Sequence, residues 1–176
     1  MAIKTPLKMG NPLLYQISKP LTVDQFNSKK LAALITDLQD TMAHYQGAGI
    51  AAPQIGVLKR VIVFGFEQNP RYPKAEPVPK TILINPQFEI LSQDTEDMWE
   101  GCLSVPGLRG VVKRFNQIRY WGFNTDGQKI ERCATGFHAK VIQHECDHLD
   151  GILFPQRLTD LGQFGFESEL TDVLSL

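Results

Sequence analysis

The stretch Thr135-Gly136-Phe137-His138-Ala139-Lys140-Val141-Ile142-Gln143-His144-Glu145-Cys146-Asp147-His148-Leu149-Asp150-Gly151 decides how this chain is read. Its spacing predicts a helix from about Thr135 to Leu149, closed by Gly151 and Pro155. On a helix, residues four apart sit one turn above each other. His144 and His148 can then offer both imidazoles to one metal ion, with Glu145 beside them as a general base for an attacking water. Phe137 and Val141 fall on the same face and back the site with apolar side chains. Two His and a Glu on an apolar face are costly to bury without a partner, which favours a ligand. The bland reading, a chance match on a helix that binds nothing, stays open at this point. Cys146 lies two residues from each His and points to the far side.

A metal site of this kind needs a third ligand. Gly151 fits an extended protease pattern, but position 154 holds Phe154 rather than His. Downstream, Glu167 and Glu169 are candidates. Upstream stand Cys102, Cys133 and His138. His138 is about 100° off the ligand face, and Cys133 ends a strand, so both read as structural. Cys102 sits in Glu100-Gly101-Cys102-Leu103-Ser104-Val105-Pro106-Gly107. A Cys between a Gly and a short extended run can bring its thiol, and the next N–H, close to a ligand.

Around this centre the chain reads as α+β: antiparallel sheets packed around a central metal-binding helix, with an N-terminal amphipathic helix. That first helix is expected over Asp24–Gln46. Leu31, Leu34, Ile35, Leu38, Met42 and Tyr45 mark its buried face, and Gly47 and Gly49 stop it. His44 falls on the opposite face and reads as solvated. Val61–Phe64 and Thr81–Ile84 are β-branched runs, expected as strands. Between them, Glu67–Lys80 carries Pro70, Pro73, Pro77 and Pro79 and reads as a surface loop. Gln117–Phe123 and Gln128–Cys133 flank Asp126-Gly127, a hairpin signal. The tail, Thr159–Leu176, is mildly apolar and is given no role.

The 176 residues fit one domain, 1–176, and 43% are apolar, with 10 Phe, 4 Tyr and 2 Trp. That excludes collagen-like, low-complexity and disordered classes. With 18 Lys plus Arg against 19 Asp plus Glu, the net charge is -1, and nothing suggests nucleic-acid binding. No apolar run approaches the ~20 residues of a membrane span. Lys4 and Lys8 are not followed by an apolar stretch, so a secretory signal is not expected and the cytoplasm is. Three cysteines make no disulfide framework and read as free thiols or metal ligands.

Three blocks in order carry a family resemblance that spans nearly the whole chain. Gly47-Ala48-Gly49-Ile50-Ala51-Ala52-Pro53-Gln54, Glu100-Gly101-Cys102-Leu103-Ser104 and His144-Glu145-Cys146-Asp147-His148-Leu149-Asp150-Gly151 resemble the three motifs of the peptide deformylases. The similarity is to the bacterial or organellar group with a Pro-rich insertion and no long C-terminal helix. It implies a metal held by Cys102, His144 and His148, with water as the fourth ligand. Fe²⁺ is the ion implied in the cell, with Ni²⁺, Co²⁺ and Zn²⁺ possible on the same donors. The implied reaction removes the N-formyl group from the initiator Met of new polypeptides and releases formate. Glu145 would be the general base, and the Gln54 amide and Leu103 N–H the oxyanion donors. N-formyl-methionyl nascent peptides are the implied partners, with transient ribosome association, and the chain is expected as a monomer.

Substrate contacts are expected at Gly49, Ile50, Gly107, Arg109, Phe137 and Val141. Phe137, Val141 and Ile50 would wall an apolar pocket for Met. Gly49 and Gly107 would let substrate backbone approach and pair like an added strand. Arg109 either orients substrate or is solvated. Asp147 is expected to be structural, paired with Arg114. Lys140 touches either the pocket rim or solvent. Two other functions stay in view. One is a metallopeptidase with Glu167 or Glu169 as third ligand. The other is an inactive homologue that binds formyl-Met peptides.

Overall fold

The structure, a computed structural model, describes residues 3–170. The observed class is the expected α+β. Helix α1 spans Lys29–His44, followed by β1 Gly49–Ala51, β2 Val61–Phe66 and β3 Val78–Ile90. Next come β4 Thr95–Cys102, β5 Val105–Phe115, β6 Gln117–Phe123 and β7 Lys129–Thr135. Helix α2, Gly136–Leu149, and the short β8, Phe164–Phe166, complete the described elements, with 3₁₀ turns between them. The strands form two antiparallel sheets, β1-β2-β3-β6-β7 and β4-β5-β8.

Strand β2 shows why the larger sheet sits where it does. All six of its residues are buried, and period-2 alternation sends them to two different cores. Ile62 and Phe64 face Ala139, Ile142, Cys146 and Leu149 of α2. Val61 and Val63 face Leu31, Ile35 and Leu38 of α1. The larger sheet is therefore covered on both faces. A third core joins Cys102 and Val112 of the smaller sheet to Leu14, Leu153 and Phe154.

The structure corrects several boundaries. Helix α1 starts at Lys29, not Asp24. Ser28 caps it, accepting from the Leu31 N–H at 3.1 Å, and Asn27 at φ 56° turns the chain before it. Tyr45 lies past the helix and is exposed, while His44 is exposed as expected. The strand expected at Thr81–Ile84 is much longer, and its first residues, Val78 and Pro79, fall within the expected loop. The hairpin at Asp126-Gly127 forms as read, with Gln117↔Thr135 to Phe123↔Lys129 in register. The tail supplies β8, although its last six residues, 171–176, lie outside the described ones. None of the described helices is long and apolar enough to cross a membrane.

Candidate active site

Helix α2 carries two of the three residues that converge. Its capping residue is Thr135, and Gly151 behind it takes φ 76°, where a Cβ would strike the Tyr15 carbonyl. The helix places His144 and His148 one turn apart, ring centroids 5.0 Å from each other. Strand β4 ends at Cys102 and delivers its thiol to them, Sγ lying 3.2 Å from His148 Nε2. One donor atom from each of Cys102, His144 and His148 lies within 4.8 Å of the other two. These could hold a metal ion, and a sulfur with two imidazoles suits a borderline divalent cation. Glu167 is elsewhere, bonded to Arg109, and among the described residues neither it nor Glu169 joins the cluster, so the ligand set of the metallopeptidase alternative does not assemble. Cys133 is exposed on β7. His138 turns to the Tyr120 hydroxyl at 3.3 Å.

The thiol and imidazoles perturb one another strongly. Burial pushes the Cys102 thiol up, but the charge of His148 and a hydrogen bond from His144 outweigh it, and the pKa falls well below the usual value. Burial pulls His144 down, but Cys102 and Glu100 outweigh it and raise it. The thiolate is the form that ligates metals. It also accepts hydrogen bonds from the Ser104 N–H at 3.3 Å and Gln54 Nε2 at 3.4 Å.

Glu100, two residues before Cys102 on the same strand face, was quoted in the sequence but given no role. Its Oε2 lies 2.8 Å from His144 Nδ1, which leaves Nε2 free to face the sulfur. Glu100 also holds Arg114 through two bonds of 2.7 and 3.0 Å. Burial would raise the Glu100 carboxyl, but His144 and Arg114 prevail and lower it to about 2. Arg114 continues to Asp147 at 2.6 Å, the expected pair, and Arg157 adds a 2.7 Å bond to the same carboxylate. A continuous charged chain thus runs from Arg157 to His144.

Glu145 has no such partners. Its Oε2 is buried without a hydrogen bond, and burial, against the charges of His144 and His148, raises its pKa to about 7. Its carboxylate lies against Gly49, where a Cβ would stand 2.5 Å from Oε1. The glycine therefore makes room for the acid as well as for any ligand. Gln54 is fixed in orientation because its Oε1 accepts the Ala51 N–H at 2.8 Å. Its amide nitrogen then points to Cys102 and to Ser104 Oγ, 3.2 Å away. Leu103 follows Cys102 and is half-buried on the cleft wall.

A cleft of about 450 Å³, counting its open mouth, borders Cys102, His144 and Glu145. Gly49, Phe137 and Val141 line it as expected. Ile50 does not. Strand alternation turns it away from Gly49 into the α1 core, where it is fully buried. Gly107 lies outside the lining, exposed at φ 75°, with nothing within 4 Å of a Cβ there, so backbone conformation explains the glycine. Arg109 is not solvated, and it lines not the cleft itself but the wider groove that adjoins it at Tyr72, Met98 and Phe137. It is 3% exposed and pairs with Glu167 at 2.7 Å. Lys140 is buried at the rim and reaches Glu96 at 2.8 Å. Tyr72, Arg71 and Met98 also line the cleft and were missed. Tyr72 and Arg71 lie in the Pro-rich loop, where no periodicity marks a side chain's direction.

The polypeptide deformylase family model matches residues 3–164. Peptide deformylase 1 of Nitrosomonas europaea is 55% identical over 168 residues, covering 96% of this chain and 94% of that protein. Peptide deformylase 1 of Bordetella pertussis is 57% identical over 164 residues, 93% of this chain and 92% of its own. A Met-Ala-Ser-bound class I type b peptide deformylase from Acinetobacter baumannii superposes with a TM-score of 0.86 at 37% identity, covering 89% of this chain and 99% of that one. The actinonin-bound form from the same organism gives 0.80 at 33%, covering 90% of this chain and 100% of that one. The chain belongs to the polypeptide deformylase family. It is a metal-dependent hydrolase of that class, whose reaction removes the N-formyl group from new polypeptides.

Proposed function

We propose that the chain, acting as one catalytic unit, takes the formyl group from the initiator Met of nascent peptides at the cleft between β1, β4 and α2. The observation that carries this is the convergence of Cys102, His144 and His148 beside a buried Glu145 with an unpartnered oxygen. Those three residues would hold one divalent ion, which when bound polarises a carbonyl and acidifies a water. Glu145 takes a proton from the attacking water and returns it to the departing amine nitrogen. The C–N bond breaks as formate forms. A buried carboxylate with an unpartnered oxygen beside the metal donors is placed for both halves of that exchange. Gln54 Nε2, held by Ala51, and the Leu103 N–H stabilise the oxyanion. Glu100 fixes the ring of His144.

The Met side chain would lie against Phe137 and Val141. Strands β1 and β4 end their sheets' pairing order at the cleft, and an extended peptide can add to such edges. That a relative of this fold is Met-Ala-Ser-bound supports a peptide ligand. Ferrous ion is the proposed metal in the cell. Nickel, cobalt and zinc satisfy the same donors. The protein would act in the cytoplasm as a monomer, meeting the ribosome transiently.

Formate release from a formyl-Met tripeptide tests the proposal. Protein purified without oxygen is compared with an aliquot exposed to air. Fast anoxic release that decays in air is the expected result for a ferrous centre. Fast release that survives air keeps the reaction and replaces iron by nickel or cobalt. No anoxic release with one metal per chain would overturn the reading. Cys102→Ser is expected to lower bound metal well below one per chain.

A further inference from the structure

Two segments have no part in this chemistry: the Pro-rich loop between β2 and β3, and the chain around β8. They meet at Arg109. Strand β8 pairs along β5, with Arg109 opposite Gly165, and this brings Glu167 onto the guanidinium. Its Oε1 accepts from Arg109 Nε at 3.1 Å and from Nη2 at 2.7 Å. Among the described residues this is the acid paired with that buried arginine.

The other side of Arg109 faces the loop. Its guanidinium carbon lies 4.9 Å over the Tyr72 ring, and Nη2 donates to the Arg71 carbonyl at 3.5 Å. Tyr72 in turn packs against Phe137, with ring centroids 4.9 Å apart and planes tilted by 56°. Its hydroxyl accepts from the Gly101 N–H at 3.3 Å and reaches the Gly101 carbonyl at 3.5 Å. Gly101 precedes Cys102, and Arg109 itself crosses it closely, Cδ lying 3.0 Å from where a Cβ would stand. A cation over an aromatic face and a charge-assisted hydrogen bond thus act through one side chain.

We propose that Glu167, Arg109 and Tyr72 form a latch by which the C-terminal segment holds the Pro-rich loop against Gly101 and sets the cleft wall that receives substrate. Glu167 and Arg109 are positioning residues, acting through Tyr72. The inference rests on the deformylase reading of the cleft. Its prediction is a change in KM rather than in turnover, because the latch shapes Tyr72 and Phe137 and leaves Glu145 and its neighbours alone.

The test compares wild type, Glu167→Gln, Glu167→Asp, Tyr72→Phe and the Gln/Phe double variant. Each is assayed anoxically with a formyl-Met tripeptide, and tryptic cleavage after Arg71 and Lys74 is followed in parallel. Glu167→Gln is expected to raise KM by up to about fivefold, the upper end of what a half-exposed charge pair gives. Its kcat should stay within about twofold of wild type, its melting temperature should fall by no more than a few degrees because Arg109 keeps its contacts with the Tyr72 ring and the Arg71 carbonyl, and the loop should be cut faster. Glu167→Asp should recover part of the loss. Tyr72→Phe should match Glu167→Gln, and the double variant should be no worse than either, because links of one chain are not additive. Unchanged KM and unchanged cleavage in Glu167→Gln would overturn the latch. So would fully additive losses in the double variant. A wild type that releases no formate would instead sink the deformylase reading itself.

Discussion

Helix α2 presents two carboxylates, two residues apart, to opposite surroundings. Asp147, on the back, accepts from Arg114 and Arg157. Glu145, facing the cleft, keeps an oxygen without a partner and rests against a glycine. Both are buried. The back of the helix is built like a well-satisfied core, where every charge is answered. The front leaves an acid underpaired beside the metal donors. An underpaired buried group costs stability, and such groups collect where chemistry needs them. The contrast separates what α2 does for the fold from what it does for the reaction.

The sharpest way to break the contrast is to change the front. Glu145→Gln keeps the size and removes the base. Formate release should fall by about 100- to 10,000-fold, with metal content and melting temperature kept. A smaller loss, from moving the acid rather than removing it, is expected of Gly49→Ala. The new methyl would stand 2.5 Å from Oε1, and kcat should fall by roughly tenfold or more, as misplacing a reacting group costs.

The back should respond in the other currency. Asp147→Asn removes the charge that meets Arg114 and Arg157. Breaking a buried pair outright costs about 3–5 kcal/mol. Here Arg114 keeps both bonds to Glu100, so about 2 kcal/mol, several degrees in Tm, is expected. The kcat/KM of the folded protein should stay within about twofold of wild type.

The smallest effect concerns a histidine outside both groups. Burial first, then the charge of Arg132, lowers the pKa of His138 below 6.5. The unfolded chain then binds more protons than the folded one as pH falls from 6.5 toward the folded pKa. Stability should drop over that window and level off below it. His138→Gln should flatten this part of the stability profile, read by thermal unfolding at pH 5 to 7.

Much of this contrast is legible in the amino-acid sequence. Helical spacing places His144 and His148 together and puts Asp147 behind them, while its pairing with Arg114 is an expectation that the spacing alone does not give. The residues alone leave the third donor open among Cys102, Cys133, His138, Glu167 and Glu169, and the family resemblance is what implies Cys102. The smaller sheet was not legible. Strand β4 carries Glu96 and Glu100 on one face and Asp97 on the other, so no apolar alternation announces it. In β5 the buried positions include Arg109, Gly110 and Arg114, which a hydrophobic pattern reads as exposed. These charges are buried only because partners come from distant elements: Glu167 for Arg109, Glu100 and Asp147 for Arg114. The role of Glu100 was within reach. Two residues from Cys102 on a strand, it shares the cysteine's face, and a carboxylate there can orient a neighbouring ligand. Ile50 was misplaced for the same reason of parity, since it stands next to Gly49 and must point the other way.

The most direct test measures formate release and thermal unfolding together, without oxygen, for Glu145→Gln and Asp147→Asn. A crossed result is predicted: Glu145→Gln as stable as wild type but at least about 100-fold slower, and Asp147→Asn several degrees less stable but nearly as fast. A Glu145→Gln enzyme that turns over at the wild-type rate with one metal per chain would contradict the account.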